Sequence, residues 1–132
     1  MSKKQNKSPT ILLLEQDDQT RPLLMYNLRS QGFRAIVVLE EEDAIERMSG
    51  KNVCPDVILL NQVNLSIDEF INMGRRIRRA AGKPCRTPIV VMAEQFGVDM
   101  EGLDVLVGES EYVTYPEDGQ QLMNLLHRLC SV

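Results

Sequence analysis

Four short apolar runs, separated by helical patterns along 132 residues, constrain this chain more than any other feature. They are Ile11–Leu14 ahead of Glu15-Gln16-Asp17-Asp18, Val57–Leu60 ahead of Asn61, Ile89–Met92 ahead of Ala93-Glu94, and Tyr112–Tyr115 ahead of Pro116. A continuous apolar run bounded by polar residues reads as a strand buried on both faces, the kind found in parallel sheets. Ala35–Leu39 supplies a fifth strand. Between them lie helical patterns: one to about Gln31 with Leu24 and Leu28 on one face and Gly32 as its stop, and Glu42–Ser49 closed by Gly50. A third carries Ile67, Phe70, Ile71 and Ile77 and ends near Gly82 and Pro84. A last stripe is formed by Leu122, Leu125, Leu126 and Leu129. Strands alternating with helices call for a parallel sheet covered on both faces. In such a sheet the C-terminal strand ends lie side by side, at the edge where open α/β folds bind ligands. Asn61, Ala93 and Tyr115 stand on that edge, where reactive groups are expected.

One element is weak. Phe96–Gly108 occupies the place of a fourth helix, yet it contains Gly97, Gly102 and Gly108 together with Val98, Val105 and Val107. Each interior glycine costs a helix about 1 kcal/mol against alanine, and β-branched side chains add to that. A short, irregular or mobile helix is expected. At the start of the first helix, Asp18 is the better N-cap, because it leaves Pro22 within the first turn, where no helical N–H bond is lost.

The length fits one domain, and no apolar run is long enough to span a bilayer. Residues 1–9 are short, polar and basic (Lys3, Lys4, Lys7) and lack the apolar core of a signal peptide. They read as a flexible tail on a cytoplasmic protein, with the domain running from 10 to 132. Cys54, Cys85 and Cys130 show neither metal-ligand spacing nor a disulfide framework, and are expected to be reduced.

The net charge of −4 hides an uneven distribution. Between Gly74 and Arg86 stand six bases and no acid, and between Glu94 and Asp118 eight acids and no base. Two solvated faces are the simpler reading, and a charged partner or head-to-tail association the sharper one. The basic stretch lacks interleaved aromatics and a helix-turn-helix, so it does not suggest nucleic-acid binding. Charge at a helix C-terminus accounts for much of it. His127, the sole histidine, reads as a helix-surface residue.

From Thr10 to about Leu129 the chain resembles the receiver domains of two-component response regulators. The likeness rests on Ile11-Leu-Leu-Leu-Glu-Gln-Asp-Asp followed by Arg21, Asn27-Leu28 and Gly32-Phe33. It continues in Pro55-Asp56-Val-Ile-Leu-Leu-Asn61 with Asp68, in Thr87-Pro88, and in Gly108 and Glu111-Tyr-Val-Thr-Tyr-Pro116. The resemblance implies a doubly wound, CheY-like α/β fold with five parallel strands in the order 2-1-3-4-5 and helices on both faces. It also implies a site: an acidic pair and a phosphoacceptor aspartate that hold Mg²⁺, with a hydroxyl and a lysine that bind the transferred phosphoryl group. In this chain those positions carry Glu15 and Gln16, Asn61, Ala93 and Tyr115. A carboxamide cannot replace the carboxylate nucleophile of an acyl phosphate. Without clustered carboxylates, a lysine at position 115 would be a poorly paired cation, so the substitutions form a coherent, neutralised set. The expected molecule is a pseudo-receiver: not an enzyme, without cofactor or metal, with Asp17 and Asp18 beside Glu15 as weak cation candidates.

Such a stand-alone module would act by binding another signalling protein, independently of phosphorylation. The alternatives are an adaptor or competitor that binds a histidine kinase or phosphotransfer protein, and a flavodoxin-like cofactor carrier. The carrier would need a phosphate loop where the acidic Glu15–Asp18 stands. The resemblance further implies that Tyr112 can turn into space vacated at Ala93, and that the Tyr115–Pro116 bond is a candidate cis peptide. Glu101, Asp104, Glu111 and Tyr112 then form a partner face. Its acidity favours a monomer, or a hetero-complex with a basic surface, over a symmetric dimer.

Overall fold

The computed structural model describes residues 8–49, 54–82 and 84–130. The expectation of a flexible tail therefore lies outside the described residues for positions 1–7, as does the helix-closing role of Gly50. The strands are β1 (Thr10–Leu14), β2 (Arg34–Val38), β3 (Val57–Asn61), β4 (Ile89–Met92), β5 (Asp104–Leu106) and β6 (Glu111–Thr114). The helices are α1 (Thr20–Ser30), α2 (Glu41–Met48), α3 (Ile67–Arg79) and α4 (Gly119–Cys130). The sheet order is β2-β1-β3-β4-β6-β5, parallel everywhere except between β6 and β5.

Period-two alternation divides the central strands between two cores. Leu12, Leu14, Ile58, Leu60, Ile89 and Val91 face α2 and α3, where they meet Met48, Phe70, Ile71 and Ile77. Ile11, Leu13, Val57, Leu59 and Val90 face α1 and α4, against Leu24, Leu28, Leu122, Leu125 and Leu126. Ile11, Leu13, Ile58, Leu59 and Leu60 are fully buried, each contributing about 1.5–3 kcal/mol relative to exposure. The doubly wound expectation thus holds, with β2-β1-β3-β4-β6 as the five parallel strands in the expected order.

The fourth helix does not form. Two single turns, Met100 N–H to Gly97 O and Leu103 N–H to Met100 O, lead instead into the antiparallel strand β5. Gly102 takes φ +92°, the left-handed conformation that ends a turn and suits glycine. Bonds from Gly102 N–H to Tyr115 O, Tyr115 N–H to Leu103 O and Val107 N–H to Glu111 O then zip the segment onto β6. The residues that weaken a helix here, Val105 and Val107 above all, are those that favour a strand.

Three local expectations are also corrected. Gln19, not Asp18, is the N-cap of α1, and it makes no side-chain cap bond. Asp17 does that work, accepting from Thr20 N–H at 2.7 Å, because its carboxylate lies one turn below the helix start. Cys54 and Cys85 are joined in a disulfide, with Cα atoms 6.2 Å apart. They stand in the segments entering neighbouring parallel strands β3 and β4, so strand pairing itself brings them together. Lastly, no cis peptide occurs among the described residues. Both backbone groups of Tyr115 are bonded to residues 102–103, which holds the chain extended into a trans Pro116.

Candidate functional site

The C-terminal edge of the sheet brings Glu15, Asn61, Ala93 and Tyr115 close to the ends of β1, β3, β4 and β6. Glu15 follows β1 directly and is completely buried. Asn61 closes β3, the strand paired beside β1, and its amide Nδ2 donates to Glu15 Oε2 at 2.9 Å. A carboxylate only accepts, so the amide must turn its N–H side toward it. Asp17 N–H adds a longer bond to the same oxygen at 3.2 Å. Glu15 Oε1 is buried with no partner among the described residues, at a cost of about 1–3 kcal/mol.

Mg²⁺ is the ion this resemblance implies, and the orphaned Oε1 is the one feature that would welcome a cation. The remaining donors do not fit. Asn61 presents amide hydrogens to the carboxylate, and Gln16 is exposed. Asp17 is committed to Thr20, whose hydroxyl and N–H hold its pKa below the usual carboxylate value. Asp18 is paired with Arg21. Among the described residues no group of three or more His, Cys, Asp or Glu side chains is arranged to hold a metal. Magnesium, which demands near-octahedral oxygen ligation, finds one carboxylate here.

On the far side of the edge, Ala93 is buried and its N–H bonds Thr114 O. Phe96 and Tyr115 pack against the core cluster that contains Ala93, with ring centroids 5.4 Å apart in an edge-to-face arrangement. Tyr112 does not join them. It pairs with Val90 in the sheet and packs on the opposite face, against the α1/α4 core. Strand parity therefore keeps Tyr112 away from Ala93, and the rings of Phe96 and Tyr115 pack on the Ala93 side of the sheet instead.

The expected partner face also changes. Glu111 is buried at the foot of β6 between two arginines of α3: Arg75 Nη2 at 3.1 Å and Arg78 Nη2 at 2.7 Å. Burial raises the Glu111 pKa, but the hydrogen bonds and charges of Arg78 and Arg75 outweigh it and hold the group below its usual value. Arg78 also donates to Thr87 O and Ser110 Oγ. Asp104 accepts from Thr114 Oγ1 at 2.6 Å and Gln121 Nε2 at 2.9 Å, with Arg128 at 3.9 Å. Of the three assigned acids only Glu101 is left on the open surface. The Glu111–arginine cluster was not foreseen. The run of bases on α3 was its only trace in the sequence, since the pairing joins residues more than thirty positions apart.

This architecture matches solved receivers across nearly its whole length. The response regulator receiver protein of Sinorhizobium medicae WSM419 superposes with a TM-score of 0.68 at 16% identity, over 96% of this chain and 97% of that one. The receiver domain of sensor histidine kinase PA1611 from Pseudomonas aeruginosa PAO1 gives 0.64 at 19% identity, over 96% and 100%. Its site cleft coordinates a magnesium ion. The fold is the CheY-like receiver fold. In sequence, the chain is 31% identical over 118 residues to the transcriptional regulatory protein AfsQ1 of Streptomyces coelicolor. That match covers 86% of this chain and 48% of AfsQ1, so the chain spans about half the length of this curated relative. No family model matches the sequence. Between β4 and β6 this chain carries the antiparallel strand β5.

Proposed function

We propose that this chain is a pseudo-receiver: a two-component-type signalling module that acts by binding another protein and does not accept a phosphoryl group. The observation that carries this reading is the Asn61–Glu15 hydrogen bond. It places an uncharged amide at the end of β3 and satisfies it internally. Around it, the positions of hydroxyl and lysine are filled by a buried methyl and a packed aromatic pair. A site lined in this way has no cation to neutralise a phosphoryl group, and no carboxylate nucleophile at the end of β3 to receive one. Its partner would be a signalling protein with a basic surface, and the chain itself monomeric or hetero-complexed. No described helix is long and apolar enough to cross a membrane.

The test is an amide NMR titration with Mg²⁺ and beryllofluoride, a phosphoryl mimic, alongside intact mass after incubation with acetyl phosphate. Unchanged signals at Glu15, Asn61, Ala93 and Tyr115, with no mass gain, are expected. Saturable shifts at those residues, or a phosphoryl adduct, would return the chain to the working receivers.

A further inference from the structure

The segment that replaced the fourth helix leaves both a sheet edge and part of a sheet face open. Bonds to β6 use the backbone of Leu103 and Val107, and the Val105↔Val113 register falls between them. In an antiparallel ladder the intervening residues, Asp104 and Leu106, therefore turn their N–H and C=O groups away from the sheet. Among the described residues nothing bonds those four groups. Leu103, Val105 and Val107 share the face of Val113, on the α3 side, yet Leu103 is 45% and Val107 48% exposed. Leu106 is 55% exposed on the other face, and Val98 in the preceding turn 88%. An unpaired edge beside an uncovered apolar strip is a template for a further strand.

The flanking charges select the occupant. Glu101 and Glu109 are exposed at the two ends of the strip. A second copy paired about a two-fold axis at Val105 would satisfy the four backbone groups but would set Glu101 of one copy beside Glu109 of the other. Like charges there oppose self-association. A strand carrying a base at each end gains at both places instead.

We infer that β5 is a strand-addition site for an extended partner segment with apolar residues at alternate positions and a lysine or arginine at each end. This deepens the protein-binding reading above and rests on it. The edge supplies affinity through the backbone of Asp104 and Leu106, the strip at Leu103, Val105 and Val107 reads the alternate side chains, and the two glutamates set polarity of charge.

The probe is a capped nonapeptide, Lys-Thr-Val-Thr-Val-Thr-Val-Thr-Lys, titrated into the ¹⁵N-labelled chain. Saturable shifts at residues 103–107 are expected, with new exchange protection of the Asp104 and Leu106 amides. A peptide with glutamate ends should bind at least about tenfold more weakly, the step that 1.4 kcal/mol of charge discrimination corresponds to. Leu106→Pro, which removes an outward N–H that no bond uses, should abolish the shifts, as should N-methylation of the peptide at alternate residues. Silence at 103–107 up to about 1 mM peptide, the weak end of specific recognition, overturns the inference. Equal binding of the two charge forms overturns it too. So does protection of Asp104 and Leu106 in the free protein, whether at high dilution or growing with its concentration, which would put its own chain or a second copy on the edge. The same spectra keep the two readings separate, because phosphoryl-site failure is read at Asn61 and edge failure at Leu106.

Discussion

At the scale of single residues, the chain holds one buried carboxylate at each end of the sheet, and each is kept by different means. Glu15 relies on an amide. Asn61→Asp would place a second carboxylate against it, with no lysine or fitted metal to offset the repulsion. A loss of about 1–3 kcal/mol at neutral pH is expected in urea unfolding, shrinking in acid as the pair shares a proton. Phosphoryl acceptance should not return, because Ala93 and Tyr115 still lack the hydroxyl and the cation. Glu111 relies on two arginines, so Glu111→Ala leaves Arg75 and Arg78 without their counter-charge, at a cost of about 3 kcal/mol. The pH dependence follows from the depressed carboxyl. Its folded pKa lies below the ordinary 4.5, so its contribution is full above that value and drains away as pH falls through the folded pKa. Acid unfolding of the wild type should steepen there, and Glu111→Gln should flatten the profile. Cys130 is a contrast: burial, then Asp56, pushes its thiol up to about 11, so it should resist alkylation at neutral pH.

At the scale of elements, the hairpin of β5 and β6 depends on Gly108. A Cβ built there would lie 1.9 Å from Glu111 Oε1 and 3.1 Å from Arg75 Nη2, so the side chains of the ion cluster leave no room for a methyl. Gly108→Ala should cost about 1–3 kcal/mol by overpacking and should perturb the amide signals of Arg75, Arg78 and Glu111 first. The Cys54–Cys85 link acts between elements as well. It closes a loop with a sequence separation of 31, so its reduction should lower unfolding stability by about 2–4 kcal/mol, read by denaturation with and without reductant. Legibility differed sharply among elements. The central strands were evident from their uninterrupted apolar runs, and α3 and α4 from their stripes. Phe96–Gly108 was recognisable as a poor helix, but its identity as a strand came from pairing with β6, which local composition does not encode.

At the scale of the whole molecule, charge is less free than the composition suggests. Two of the eight acids in the acidic stretch, Asp104 and Glu111, are spent inside the fold, and Arg75, Arg78 and Arg128 answer them. The surface that survives is a short acidic border around an open apolar edge. Light scattering should therefore find a monomer at low salt, where the repulsion of Glu101 and Glu109 is least screened. A salt-resistant dimer would show that apolar contact at β5 outweighs the repulsion of Glu101 and Glu109.

The receiver resemblance implied the strand order; what the sequence by itself determined is the alternation of strands and helices, and which side chains stand at the C-terminal edge of a parallel sheet. Those follow from local periodicity and from chain connectivity, both of which are written in one dimension. Only the tertiary structure decided that Asn61 bonds Glu15, that Tyr115 and not Tyr112 shares the core of Ala93, that Cys54 meets Cys85, and that Glu111 lies between two arginines. Each of these joins residues far apart in the chain or depends on which face of a strand a side chain leaves. A shift of one position reverses that face, and neighbouring strands, more than the residue itself, fix the register.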